Sequence, residues 1–262
     1  MDLGLRNKIV LVTGGAKGIG AATVEAFSAE DCRVVLVDRD TETGTSLEKY
    51  LGSRVSYIEA DLTNLEACKK AIEQTVSLFG GLDVLVNNAG FNDGLGLETP
   101  PEDFMRSVQN NLLHVYAMTH YALPLLRKGQ GCLVNLGSKV SETGQGHTSA
   151  YAAAKGAISA LTREWAVALA PDKIRVNCVI PAECLTDQYE QFFLSQVEPE
   201  AAKKAISKLV PFAQRLTTPQ EIAQTIVFLA SDRSSHTTGQ LVFVDGGYTH
   251  FDRAVGHGHN KW

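Results

Sequence analysis

Short apolar runs recur along this chain, and longer segments of mixed polarity separate them. The first run is rich in β-branched residues, and a polar or turn-forming residue follows every run, which is typical of strands buried inside a sheet. The pattern predicts seven strands, at residues 8–13, 33–37, 54–60, 82–86, 132–137, 174–180 and 240–244.

The segments between the runs have the periodicity and the end signals of helices. Thr218 followed by Pro219, for example, is a favourable start, because proline at the first helical position lacks an N–H that would have no partner there. Helices are predicted at residues 21–30, 43–51, 65–79, 102–126, 150–165, 187–209 and 219–229.

The strict alternation of strand and helix predicts an α/β fold. Such a chain builds a doubly wound parallel sheet of about seven strands with helices on both faces. We interpret residues 1–262 as a single domain, because no linker, repeat or low-complexity segment interrupts it. Within it, residues 187–210 are expected to be a helical excursion that covers the substrate, and residues 248–262 a C-terminal tail.

A glycine-rich turn follows the first strand and precedes a predicted helix. Its glycines include Gly14, Gly18 and Gly20, with Lys17 and Ile19 between them. Glycines let the backbone approach a pyrophosphate, and the helix N-terminus supplies N–H donors and the positive end of its dipole. The context predicts a dinucleotide site, whereas the spacing alone also fits a tight turn that binds nothing.

Asp38 follows the second strand, about 20 residues after the first glycine. A carboxylate at this position accepts hydrogen bonds from a ribose diol and repels a 2′-phosphate, which favours NAD over NADP as the cofactor. Lys17 and Arg39 instead favour NADP, because a nearby cation could hold that phosphate. The structural alternative for Asp38 is a turn residue or a helix cap.

Tyr151 and Lys155 lie four residues apart in the predicted helix that begins at residue 150. This spacing places both side chains on one helix face, so the ammonium is expected to lower the pKa of the phenol from about 10. Ser138 ends the fifth strand, where its hydroxyl can hold a substrate oxygen beside the phenol. The trio predicts a general base, although the same Tyr–Lys spacing occurs by chance on many helices.

Charge and cysteine usage narrow the class of protein. The net charge is −5 and the basic residues are scattered, which argues against a nucleic-acid partner. The five cysteines form no C-x-x-C pair, so we interpret them as free thiols in a reducing compartment. No apolar run approaches the roughly 18 residues of a membrane span, and the N-terminus has no signal-peptide pattern. We therefore expect a cytoplasmic protein without a membrane partner.

The C-terminal tail contains His250, His257 and His259. No carboxylate or cysteine completes a ligand set with them, so no metal site is predicted. Such a tail is more often a flexible end, or an arm that reaches a neighbouring subunit.

Together these motifs make the chain similar to the short-chain dehydrogenase/reductase family. The resemblance covers roughly residues 5–247 and rests on the ordered set Thr13-Gly-x-x-x-Gly-x-Gly20, Asn87-Asn-Ala-Gly90, Ser138, Tyr151-x-x-x-Lys155 and Asp245-Gly-Gly247. It implies a Rossmann-like fold, an NAD(P)-dependent oxidoreductase acting on CH–OH groups, and usually a homotetramer. Ala182 stands where the family usually has glycine, which removes backbone freedom in the nicotinamide loop.

The resemblance also implies roles for single residues. Tyr151 would be the base, Lys155 would lower its pKa and hold the nicotinamide ribose, and Ser138 would orient the substrate oxygen. Asn111 would anchor a water in a proton relay from Lys155, and Thr186 would bond the nicotinamide carboxamide. The other residues implied to contact the cofactor are Asp61, Leu62, Asn88, Ala89, Gly90 and Pro181.

The substrate pocket is expected to be polar. Its candidate residues are Asn92, Asp93, Gln145, His147, Glu183 and Tyr189. Buried polar groups need hydrogen-bond partners, so this set suits a polyhydroxylated ligand better than a steroid. The structural alternatives are that residues 92–94 form an ordinary turn and that His147 is a solvated loop residue.

Several stretches further resemble bacterial L-fucose dehydrogenases and related sugar 1-dehydrogenases. They are residues 144–148, 162–168, 180–183, 235–239 and 245–250. This resemblance implies a sugar substrate whose anomeric hydroxyl is oxidised to a lactone. Two alternatives stay open: a dehydrogenase of another secondary alcohol, such as a 17β-hydroxysteroid, and a cofactor-binding scaffold without turnover.

Overall fold

The apolar runs form the strands of one parallel sheet in a computed structural model that describes residues 2–251. The strands are β1 Ile9–Thr13, β2 Arg33–Asp38, β3 Val55–Glu59, β4 Val84–Asn87, β5 Cys132–Leu136, β6 Arg175–Pro181 and β7 Leu241–Val244. Their order across the sheet is β3-β2-β1-β4-β5-β6-β7, and each neighbouring pair is parallel. The prediction of a Rossmann-like, doubly wound α/β fold is confirmed.

Helices occupy most of the connections between the strands. They are α1 Gly18–Ala29, α2 Thr41–Leu51, α3 Leu65–Phe79, α4 Pro101–Val108, α5 His114–Gly129, α6 Ser149–Ala168, α7 Asp187–Leu194, α8 Pro199–Ser207 and α9 Pro219–Ala230. Local side chains begin several of them: Asn64 caps α3, and Thr218 forms a capping box with Glu221 at the start of α9.

Both faces of the sheet are buried. Val10 and Val12 of β1 belong to the apolar cluster that contains Phe27 of α1 and Ile222 of α9. Leu11, between them, lies in a second cluster to which α3, α5 and α6 contribute. Alternate residues of one strand therefore pack on opposite faces, which is why the strands are continuous apolar runs in the sequence.

Two segments predicted as single helices are divided in the structure. Residues 102–126 belong to α4 and α5, which are joined by a π-helical turn at Gln109–Leu113. Residues 187–209 form α7 and α8, because Pro199 begins a new helix as its first residue. The predicted helix over 102–126 is helical throughout and departs from α-helix only at the π turn. The segment 187–209, predicted as helical, contains two helices with a break at residues 195–198.

The order of the strands reverses at the centre of the sheet. From β1 the chain builds outward to β2 and β3, then returns to β4 on the other side of β1. In doubly wound sheets a crevice opens at this switch point, outside the carboxyl ends of the strands, and ligands bind in it.

Candidate active site

A cleft of about 920 Å³ opens at the carboxyl edge of the sheet. It is lined by every residue that the sequence assigned to the cofactor, namely Gly14, Lys17, Gly18, Ile19, Gly20, Asp38, Asp61, Leu62, Asn88, Ala89, Gly90, Tyr151, Lys155, Pro181 and Thr186. Most of these residues follow the ends of β1, β2, β3, β4 and β6, and Tyr151 and Lys155 lie on α6, so residues that are distant in the sequence meet at one cleft.

The glycine turn, residues 14–20, has no room for a side chain at Gly20. A Cβ at Gly20 would lie 1.9 Å from the carbonyl oxygen of Gly14. Gly14 and Gly18 have φ angles of +63° and +54°, in the left-handed region that favours glycine. The N-cap of α1, Lys17, makes no side-chain capping bond, so the first N–H groups of the helix lack a side-chain acceptor there. The turn therefore fits the pyrophosphate of a dinucleotide.

Thr13 fixes this turn to the end of β4. Its hydroxyl donates to the carbonyl oxygen of Val86 over 3.3 Å and accepts from the backbone N–H groups of Asn88 and Ala89 over 3.0 and 3.1 Å. The side-chain amide of Asn88 donates back to the carbonyl oxygens of Thr13 and Gly14, both at 2.9 Å. These hydrogen bonds thus hold together the carboxyl ends of β1 and β4, the two strands that flank the crevice.

Asp38 holds the glycine turn from β2. Its carboxylate accepts from the backbone N–H groups of Ala16 and Asp40, each over 3.1 Å. Lys17 pairs with Asp40 over 2.5 Å, and this hydrogen bond raises the pKa of the lysine above its ordinary value. Because Asp40 already partners the lysine, Lys17 is a weaker argument for a 2′-phosphate than the sequence alone indicated.

Two further segments complete this part of the cleft. Asp61, after β3, accepts from the N–H and hydroxyl of Thr63 over 3.0 and 2.8 Å, and these bonds hold its pKa below its usual value. Thr186 caps α7 by accepting from the N–H of Tyr189 over 3.4 Å. A Cβ at Gly18 would lie 3.4 Å from the methyl group of Thr186, so the start of α7 stands against the glycine turn.

Tyr151, Lys155 and Ser138 meet beside the end of β5. The ammonium of Lys155 lies 5.5 Å from the centroid of the Tyr151 ring and donates to the carbonyl oxygen of Leu136 over 2.7 Å. Ser138 follows two residues after Leu136 and forms a hydrogen bond with Tyr151. The strand end and the first turns of α6 therefore bring the predicted catalytic side chains together.

Burial controls the titration of this trio. It raises the pKa of Tyr151 to about 12, although the hydrogen bond with Ser138 lowers it. It also lowers the pKa of Lys155 to about 8. The expectation that Lys155 holds the phenol below its usual pKa is therefore not met in the chain by itself, because the desolvation of the phenol raises its pKa by more than the hydrogen bond with Ser138 lowers it.

Asn111 lies in the π-helical turn, behind the wall of the cleft. Its Oδ1 accepts from the N–H of Phe91 over 2.8 Å, and its Nδ2 donates to the carbonyl oxygen of Ser107 over 3.1 Å. Gly90 separates it from Lys155: a Cβ there would lie 3.2 Å from Asn111 Oδ1 and 3.4 Å from Lys155 Nζ. The π turn thus positions an amide close to the lysine, as such turns often do at functional sites.

All but one of the predicted substrate residues line the cleft. Those that do are Asn92, Ser138, Gln145, His147, Tyr151, Glu183 and Tyr189. Asp93 is half-buried but is not part of the lining. It sits in a tight turn closed by a 3.1 Å hydrogen bond from the N–H of Gly94 to Asn92 Oδ1, so the structural alternative describes it better.

Lys139 is a residue of the cleft that the sequence patterns missed. Its ammonium donates to Oε1 of Glu183, and the hydroxyl of Tyr189 donates to Oε2 of the same carboxylate. The ammonium also lies 4.3 Å from the centroid of the Tyr248 ring. Lys139 and Glu183 are 44 residues apart, so no local spacing could have indicated the pair. We call Lys139, Glu183 and Tyr189 the polar wall.

His114, the first residue of α5, was also missed. It lines the cleft but is only 2% exposed, and neither of its ring nitrogens has a hydrogen-bond partner among the described residues. Burial, and to a lesser extent the charge of Lys155, lowers its pKa to about 4. The ring is therefore neutral near pH 7. No sequence signal indicated His114, because it lies inside a long predicted helix and belongs to no motif.

The beginning of the tail packs on the sheet. The His250 ring lies edge-on to Phe243 of β7, with the centroids 4.6 Å apart. His257 and His259, the other two histidines of the tail, lie outside the described residues. Within residues 2–251, no helix has the length and apolar character that a membrane crossing requires.

Comparisons with known proteins extend these observations over nearly the whole chain. A family model described as enoyl-(acyl carrier protein) reductase, from the short-chain dehydrogenases and reductases, matches residues 14–249. An L-fucose dehydrogenase from Mus musculus is 37% identical over 242 residues, which are 92% of this chain and 88% of the mouse protein.

Solved structures of dehydrogenases are also similar to this chain over nearly its whole length. The crystal structure of the Cj0485 dehydrogenase is 44% identical and matches with a TM-score of 0.93, over 97% of this chain and 99% of that protein. The aldohexose dehydrogenase of Thermoplasma acidophilum, in its ligand-free form, is 30% identical with a TM-score of 0.87, over 95% of this chain and 96% of that protein. The similarity therefore includes the region of the polar wall as well as the glycine turn.

Proposed function

Because the chain belongs to the short-chain dehydrogenase/reductase family and is an oxidoreductase acting on CH–OH groups, we propose that it oxidises the anomeric hydroxyl of an aldose to the lactone with NAD. The sugar we propose is L-fucose or a close stereochemical relative. An L-fucose dehydrogenase and an aldohexose dehydrogenase are among the proteins that this chain resembles over more than nine-tenths of its length.

The observation that carries the substrate class is the polar lining of the cleft beside Ser138. Asn92, Gln145, His147 and Glu183 present amide, imidazole and carboxylate groups there. Polar groups shielded from water need hydrogen-bond partners, and a sugar supplies a donor and acceptors at every ring carbon that bears a hydroxyl. Gln145 and His147 are exposed in the chain by itself, so a steroid would cost about 1–3 kcal/mol only for each polar group that it covers and leaves unpaired.

In the proposed reaction, Tyr151 accepts the proton of the anomeric hydroxyl at its phenolic oxygen. Ser138, hydrogen-bonded to the phenol, holds the reacting oxygen in place. Lys155 places a positive charge near the phenol and is itself held by the carbonyl oxygen of Leu136. Because the pKa of the buried phenol is about 12 and that of Lys155 about 8 in the chain by itself, oxidation is expected to accelerate as the pH rises from neutral and to gain less above about pH 8, where Lys155 loses its charge.

Bound NAD would supply the acceptor for the hydride that leaves the anomeric carbon. The glycine turn and the N-terminus of α1 would hold its pyrophosphate, and Asp38 its adenosine ribose. Asp61 and Leu62 would contact the adenine, while Pro181 and Thr186 would contact the nicotinamide. We propose NAD and not NADP because the Asp38 carboxylate faces the cleft and Lys17 is already paired with Asp40.

We further propose a homotetramer in the cytoplasm. All five cysteines are free and buried, which suits a reducing compartment. The helices that the family uses for assembly carry exposed apolar side chains, among them Met105, Tyr116 and Val167. Such residues on adjacent helices provide a surface that a second copy could cover.

The test is a substrate panel, with the formation of reduced nicotinamide followed by its absorbance. The panel contains L-fucose, other aldoses, a 17β-hydroxysteroid and simple secondary alcohols, each with NAD and with NADP. We expect turnover of L-fucose or a close relative with NAD, and a lactone as the product. Turnover of apolar alcohols alone would overturn the assignment of a sugar.

The matched control for this panel is Tyr151→Phe, which keeps the ring and removes the base. It should abolish turnover of the sugar and leave NAD binding, measured by protein fluorescence, within about twofold of the native protein. Near-normal activity of this variant would refute the role of Tyr151. NAD binding without turnover of any substrate by the native protein would favour the scaffold alternative.

A further inference from the structure

The polar wall contains a buried ion pair that the proposed chemistry does not use. The side chains of Lys139 and Glu183 are each 8% exposed. Every other ion pair within residues 2–251 leaves a quarter or more of each side chain exposed, as in the pair of Lys69 and Glu73 on α3. The exceptional pair lies in the wall of the substrate cleft.

Fold stability does not account for such a pair. Removing two charges from water carries a desolvation cost that their attraction often fails to recover, so apolar side chains of the same volume would stabilise this position as well or better. The pair could fix the loop after β6 against the segment after Ser138. An apolar contact would fix the loop equally well, so the charges indicate a ligand that forms hydrogen bonds with them.

Both side chains of the pair also have hydrogen-bonding groups that they do not use on each other. A carboxylate has about four lone-pair sites, and the donors to Glu183 within residues 2–251 are Lys139 and Tyr189. An ammonium has three N–H donors; Lys139 gives one to Glu183 and also lies against the Tyr248 ring, which leaves a donor for a ligand. Spare acceptors beside spare donors match vicinal hydroxyl groups, because each hydroxyl both donates and accepts.

The position of the pair relates this capacity to the substrate. Lys139 directly follows Ser138, whose hydroxyl bonds to Tyr151. Glu183 lies two residues beyond Pro181, at the end of β6 on the adjacent strand. Both therefore border the place where the reacting oxygen would sit, and Glu183 contacts Tyr189 of α7 there.

We propose that Lys139 and Glu183 select the substrate by binding ring hydroxyl groups next to the oxidised carbon. Glu183 accepts hydrogen bonds from these hydroxyls and Lys139 donates to their oxygens. This inference rests on the proposed function, since it names the groups that distinguish a sugar from a simple cyclic hemiacetal. It assigns to Lys139 a specificity role that the sequence patterns did not indicate.

The test compares two substrates of the native protein and its variants. One is L-fucose, or the aldose that the panel identifies. The other is 2-hydroxytetrahydropyran, which has the same oxidisable ring carbon and no other hydroxyl. In Glu183→Gln and Lys139→Met, kcat/KM for the sugar should fall by about 10- to 100-fold, mainly through KM, because charge-assisted hydrogen bonds to hydroxyls are lost. For 2-hydroxytetrahydropyran the change should stay within about threefold, because that substrate never made those bonds.

Matched controls are Glu73→Gln and Lys69→Met, which remove the same charges from the exposed pair on α3. They should leave both kcat/KM values unchanged. Glu183→Gln preserves volume and an acceptor for Tyr189. If Lys139→Met fails to fold because Glu183 is left unpaired, the double variant Lys139→Met/Glu183→Gln removes both charges together.

Two outcomes would overturn the inference and leave the proposed function standing. One is an equal loss of kcat/KM for both substrates, which indicates that the pair only supports the loop. The other is unchanged selectivity in folded variants. If the native protein instead oxidises 2-hydroxytetrahydropyran or other alcohols but no sugar, the proposed function fails, and this inference fails with it.

Discussion

The pKa values of single residues in this site depend on the competition between burial and nearby charge. Tyr151 and Lys155 have the spacing of a base and its activating cation, yet the pKa of the phenol is about 12, because burial raises it by more than the hydrogen bond with Ser138 lowers it. Sequence spacing predicts which side chains are neighbours. It does not predict how much water each of them loses, and that depends on the packing of β5, α6 and the π turn around them.

His114 gives the clearest prediction at this scale. Its pKa is about 4 in the native chain and about 6.5 in an unfolded one, so the unfolded chain takes up the proton first as the pH falls. Native stability from this group is fully present above about pH 6.5 and is lost towards pH 4, with about 2 kcal/mol lost by pH 5. His114→Gln should therefore lower the acid-induced loss of unfolding free energy by about 2 kcal/mol, measured by urea denaturation at about pH 7.5 and about pH 5.

The control for this prediction is His120→Gln, on the exposed side of the same helix. It should follow the native protein over the whole range, since an exposed imidazole loses little hydration on folding. If His114→Gln shows the same acid sensitivity as the native protein, another group is responsible and the neutral, buried state assigned to His114 is incorrect.

Most elements of this fold could be predicted from the sequence, because the strands of a sheet that is buried on both faces appear in the sequence as apolar runs. One of the two helix interruptions could not be predicted. The π turn at Gln109–Leu113 continues the helical pattern almost unchanged, so periodicity does not distinguish it from α-helix. The break before α8 does have a signal, since Pro199 and its neighbours provide a start for a second helix.

The glycine turn yields a prediction at the scale of an element. In Gly20→Ala, the new methyl would lie 1.9 Å from the Gly14 carbonyl oxygen and 2.6 Å from Asn88 Nδ2, so the turn must open. Opening moves backbone groups away from the pyrophosphate site, and we expect NAD affinity to fall by at least about 10-fold, a loss of about 1.4 kcal/mol. Isothermal titration calorimetry measures this change directly.

Gly156→Ala is the matched control, because a Cβ there meets no atom within 4 Å in the middle of α6. It should bind NAD as the native protein does. Native-like affinity in Gly20→Ala would mean that the close contact between the two ends of the turn is not what shapes the cofactor site.

At the scale of the whole molecule, the site is a product of topology. Strands that are distant in sequence end side by side, so Asp38, Asn88, Ser138 and Pro181 reach one cleft although 143 residues separate the first from the last. Residues that follow strand ends could therefore be predicted from the order of elements alone. The ion pair of Lys139 and Glu183 could not, because it depends on how two such loops approach each other.

A ligand that spans this cleft contacts both halves of the sheet, so its binding should stabilise the entire fold. NAD at about 100 times its dissociation constant adds about 2.7 kcal/mol to the free energy of unfolding, which corresponds to a rise in Tm of about 5–10 °C for a chain of this size. NADP at the same concentration should add much less, because its 2′-phosphate meets the carboxylate of Asp38.

Asp38→Asn removes that charge at nearly constant volume. In a thermal-shift measurement it should reduce the difference between the two cofactors, whereas Asp103→Asn, on α4 outside the cleft, should preserve it. Because the readout is stability and not turnover, it separates the choice of cofactor from the choice of substrate. Equal shifts with NAD and NADP in the native protein would show that Asp38 serves only to hold the glycine turn through Ala16 and Asp40.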